Sequence, residues 1–80
     1  MTQQVKSKNI SQLSGLKQAI VILEHIANGL SEDQIIQLAD GDAQMVRTWL
    51  SFLKDLHWLE EKDGKMSLTS EGIAGIAKYG

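Results

Sequence analysis

Cysteine is absent from this 80-residue chain, so neither a disulfide nor a thiolate zinc site is open to it. Long apolar runs are absent as well. Nothing approaches the roughly 18 consecutive apolar residues of a membrane span, so no membrane partner is expected. Met1 to Ser11 holds Lys6 and Lys8 but no apolar run and no small-residue cleavage signal. It does not read as a secretory leader, and a cytoplasmic location is the expectation. An excess of positive charge is also missing: eight Lys/Arg stand against ten Asp/Glu, a net charge of −2 at pH 7. That excludes a histone-like basic protein. The glycines spell no GxGxxG or P-loop, so no nucleotide cofactor is indicated.

What is present is an ordinary globular balance, 42% hydrophobic and 22% charged, enough for one domain. A domain this small buries only roughly 60–65% of the surface its unfolded chain exposes, so its core is thin. Without disulfides or metal, pairing with a second copy is the expected supplement, and a homodimer is predicted.

Residues 1–9 are polar and aperiodic, and residues 1–10 read as a flexible arm; residues 11–80 read as the folded domain. Leu13, Leu16, Ala19, Ile20, Leu23, Ile26, Ala27 and Leu30 recur at helical spacing, opposite Ser14, Lys17, Gln18, His25 and Asn28. Val21 is the exception, pointing with the polar residues. Gly29 stands where a left-handed C-cap belongs. Ser31-Glu32-Asp33-Gln34 fits a capping box opening a second helix, with Ile35, Ile36, Leu38 and Ala39 on its buried side. Asp40-Gly41-Asp42 ends that helix early, and Asp42 caps a third running to about Leu56. There Met45, Val46, Trp49, Leu50, Phe52, Leu53 and Leu56 make a wide apolar arc, and Gln44, Arg47, Thr48, Ser51, Lys54 and Asp55 take the other face.

After Trp58 the period changes to two. Leu59 to Lys62 and Lys65 to Leu68 flank Asp63-Gly64, a hairpin signal because both central residues must tolerate positive φ. Thr69 or Ser70 then caps a last helix with Ile73, Ile76 and Ala77 inward. Gly72 and Gly75 weaken that helix, which therefore needs tertiary support. The expected fold is mainly α with a small β-hairpin, in the order α-α-α-β-β-α.

That order is the layout of a winged helix-turn-helix, and the residues resemble that superfamily too. Leu53-Lys54-Asp55-Leu56-His57-Trp58-Leu59-Glu60 is similar to the end of a recognition helix entering the first wing strand. Met66-Ser67-Leu68-Thr69-Ser70-Glu71-Gly72 resembles the apolar-x-Leu-Thr-x-x-Gly segment that closes the wing. Small prokaryotic regulators of the MarR-like and ArsR-like kinds show both, and the resemblance covers Ile10 to Tyr79. His57 stands where many relatives carry glycine, so a left-handed backbone is implied there.

The resemblance implies a transcriptional regulator that binds duplex DNA with its third helix in the major groove. On that helix Gln44, Arg47, Thr48 and Ser51 are the expected base-facing residues, Arg47 suiting guanine and Gln44 adenine. Lys54 and the wing residues Lys62 and Lys65 are expected on the backbone, with Lys6 and Lys8 as further phosphate contacts. As an ordinary surface charge, Arg47 would instead pair with a nearby carboxylate such as Asp55 or Glu60.

Charge opposes this assignment: Ser11 to Gly80 holds six basic and ten acidic residues, net −4. The alternative is a winged-helix module for protein–protein assembly, with Val21 and the last helix in its interface. No enzyme is expected. The carboxylates are accounted for by caps and solubility, and Ser31, Thr69 and Ser70 read as caps rather than nucleophiles. His25 and His57 lack metal-ligand spacing and read as a surface and a turn-closing histidine. Trp49 is expected in the core and Trp58 in the core or at its rim.

Overall fold

A computed structural model describes residues 10, 13 and 15–80. Its elements are α1 (Gly15–Ala27), α2 (Glu32–Leu38), α3 (Ala43–Asp55), β1 (Leu59–Lys62), β2 (Lys65–Leu68) and α4 (Ser70–Tyr79). The α-α-α-β-β-α order is the one read from the sequence. Most of the expected arm, residues 1–9 with Lys6 and Lys8, lies outside the described residues. Ile10 is buried and belongs to the core.

Local chemistry sets the element ends. The capping box of α2 is complete: Gln34 N–H donates to Ser31 Oγ at 3.2 Å, and Ser31 N–H donates to Gln34 Oε1 at 2.8 Å. Asp42 Oδ1 accepts from Met45 N–H at 3.0 Å and starts α3. The first three helices all close with paired backbone bonds of the Schellman type. Leu30 N–H donates to His25 O and Gly29 N–H to Ile26 O; Gly41 and Asp40 repeat the pattern on Ile36 and Gln37, and Trp58 and His57 on Leu53 and Lys54. The residue at each closure is left-handed: Gly29 at φ 89°, Asp40 at 57° and His57 at 64°. Asp63 and Gly64, at φ 54° and 77°, make the two-residue turn that pairs Leu59 with Leu68 and Lys62 with Lys65.

α1 is the central element, packed against α4, β2 and α3. One hydrophobic cluster results, with Ile22, Leu23, Ile35, Val46 and Leu53 fully enclosed and Leu50 and Leu59 nearly so. Because α1 is covered on several sides, its buried arc is wider than its periodicity indicated. Ile22 is completely enclosed, and Val21, expected outside, is half-buried against the core. At the margins the expectation fails the other way. Leu16, Leu38, Phe52 and Leu56 are exposed, and Ala27 with them.

The last helix departs most from expectation. Ile73 is 61% exposed and Ala77 is exposed, Ile76 is half-buried, and the buried residues are Gly72 and Gly75. The cause is Trp58. A Cβ on Gly75 would lie 2.6 Å from the Trp58 ring, and one on Gly72 would collide with the Trp58 carbonyl oxygen. Helix α4 therefore docks through the side that lacks side chains. Among the described residues no helix is long and apolar enough to cross a membrane.

Two stability predictions follow from these contacts. Gly75→Ala should cost about 1–3 kcal/mol by overpacking, despite alanine's better helix propensity, and Gly72→Ala more because backbone must move. Equal denaturant midpoints for the parent and both variants would contradict the packing. His57→Gly should stabilise by about 0.5–1 kcal/mol through relief of the left-handed strain, read as a higher thermal midpoint.

Candidate nucleic-acid interface

The seat of α3 comes first, because it aims the outer face. Val46, Leu50 and Leu53 bury its inner side. Its flank is tied to α1 by Gln18, which is half-buried although periodicity placed it among solvent-facing residues. The Gln18 amide accepts from Trp49 Nε1 at 2.6 Å and donates to the carbonyls of Ile10 and Leu13 at 3.1 and 3.2 Å. One side chain thus fixes α3, α1 and the segment entering α1. Trp49 itself is half-buried rather than enclosed, with Phe52 meeting it edge-on at 5.6 Å.

With α3 so seated, Gln44, Arg47, Thr48 and Ser51 are all exposed and together line an open, shallow depression. Their spacing of three, four and seven residues places them in one stripe. The helix-face grouping read from the sequence is therefore present in space. Lys62 and Lys65 are exposed and directly opposite each other at the end of the hairpin.

The cations are not equivalent. Arg47 Nε donates to Glu32 Oε2 of α2 at 3.0 Å, so its partner is Glu32 rather than Asp55 or Glu60. Lys54 Nζ donates to Glu61 Oε1 of β1 at 2.8 Å. Neither Lys62 nor Lys65 is in an ion pair among the described residues. Both pairing carboxylates also border a cleft of about 400 Å³ between the start of α2 and the hairpin, along with Ser31, Lys65 and Met66. Sequence spacing gave no sign of these pairs, since each joins two different elements.

Trp58 is half-buried at the junction of α3 and the hairpin, stacked on Tyr79 with ring centroids 6.4 Å apart. His57 closes the α3 turn, and its carbonyl accepts from Thr69 Oγ1. Among the described residues no cluster of three or more His, Cys, Asp or Glu side chains is arranged to hold a metal ion.

No protein-family model, curated protein or solved structure matches the chain.

Gln18→Ala would leave the Trp49 indole N–H without its partner and remove this tie between α3 and α1. We expect a loss of about 1–3 kcal/mol in stability and a red-shifted tryptophan emission. An unshifted spectrum with an unchanged midpoint would show that Gln18 does not hold the helix.

Proposed function

We propose that the chain is a cytoplasmic winged helix-turn-helix protein that binds duplex DNA as a homodimer and regulates transcription. The observation that carries this reading is the stripe of Gln44, Arg47, Thr48 and Ser51, exposed together on α3 and lining one open depression with Ala43. Such a face presents donors and acceptors in the spacing a major groove admits. Lys62 and Lys65 on the hairpin supply the phosphate contacts, and Lys54 adds one where a phosphate displaces Glu61. Dimerisation doubles this modest set across two half-sites. Large apolar side chains left uncovered on α1, α3 and α4, among them Leu16, Phe52 and Ile73, support self-association.

A protein-assembly module is the second reading. It is favoured by the same uncovered apolar groups together with the net charge of −4 over residues 11–80.

Fluorescence anisotropy with a random-sequence duplex at low and at physiological salt separates the two. The DNA-binding reading expects association with a steep negative salt slope. Absence of binding at low salt would favour the assembly module. On a selected sequence, Arg47→Ala should cost about 1–3 kcal/mol and relax preference at one position. Lys62→Ala and Lys65→Ala should each weaken all sequences alike and reduce the salt slope by about 1. A changed base preference in either lysine variant would contradict this division of roles.

A further inference from the structure

We propose that Glu32 is a positioning residue that turns Arg47 from a phosphate-seeking cation into a base-reading one. The inference rests on the DNA-binding reading above and deepens it. Glu32 opens α2, Arg47 lies in the second turn of α3, and the bond between them runs from Nε to Oε2 at 3.0 Å. A guanidinium offers its donors along different edges. The carboxylate occupies Nε, while the two terminal Nη groups donate to nothing among the described residues. Those terminal groups form the parallel fork that matches O6 and N7 of guanine.

Two effects follow from one contact. The first is orientation: a long side chain that would otherwise sample many rotamers is tethered through Nε, which leaves its terminal fork to pair elsewhere and reduces the ordering cost at binding. The second is charge. The Arg47–Glu32 pair is neutral as a unit, so it draws little from the diffuse attraction of phosphates, which acts on every sequence alike. The directional hydrogen bonds of the fork remain. Glu32 thereby weakens unspecific association and sharpens discrimination.

The Lys54–Glu61 pair shows why the identity of the cation matters. An ammonium is a point charge with no second edge to present, so a carboxylate at 2.8 Å weakens it without aiming it. The two carboxylates lie beside the same cleft yet have different consequences for the cations they hold.

The test uses the full chain and duplexes it selects from a random-sequence pool, compared with the same duplexes in which each guanine·cytosine pair is replaced in turn. Glu32→Ala is expected to bind unrelated duplexes more tightly, with a salt slope steeper by about 0.9. Its preference for one guanine should fall about three- to fivefold. Glu32→Gln, which keeps an acceptor oxygen without the charge, should take on the steeper slope while retaining more of that preference. In an Arg47→Ala background, Glu32→Ala should leave base preference unchanged. Retention of the full guanine preference by Glu32→Ala overturns the positioning role, as does equal weakening on every duplex. A parent chain that selects no duplex at low salt overturns the DNA-binding reading itself, an outcome seen before any variant is made.

Discussion

Trp58 connects three elements, and the second half of the chain is arranged around it. Its N–H donates to Leu53 O at 3.0 Å and closes α3; its carbonyl accepts from Thr69 N–H at 3.1 Å and closes the hairpin. Its carbonyl and ring also lie so close to α4 that Gly72 and Gly75 are the residues that fit there. Helix α4 has 10 residues, and two glycines cost it about 2 kcal/mol of helix propensity relative to alanine. A helix that short is marginal in isolation and depends on what it packs against. The direction in which the hairpin leaves α3 is consequently set by packing against α4 as well as by the tight turn at His57.

Features decided within a few residues were legible in the sequence. The Ser31–Gln34 capping box, the Asp42 cap, the Gly29 closure and the Asp63-Gly64 turn all sit where their chemistry required. The stripe on α3 was legible for the same reason, because one helix face needs only its own spacing. Features decided between elements were not. Ile22 is enclosed because α1 has several neighbours, and Ile73 is exposed because α4 docks on its glycines. Gln18 sits on a face that periodicity marked as polar, yet it bridges α1 to Trp49. The Glu32 and Glu61 partners belong to the same class, since each faces its cation across an interelement gap.

The charge pattern has a similar logic. An acidic total is a statement about long-range attraction, whereas hydrogen-bond donors act at contact. Six cations were expected on the surface facing a duplex, of which Lys6 and Lys8 lie outside the described residues. Arg47 and Lys54 are held by carboxylates, and among the described residues the Lys62 and Lys65 ammonium groups are not. The paired cations therefore sit on the third helix and the other two on the hairpin.

The hairpin end has a thermodynamic side of its own. Lys62 and Lys65 are directly opposite partners in the ladder, and like charges so placed oppose strand pairing. The turn beside them must hold the register against that repulsion. Any anion seated between the two ammonium groups relieves it, so occupancy of the hairpin and integrity of the fold are linked quantities. Thermal unfolding would therefore register any anion held at that end of the hairpin, with no label on either component.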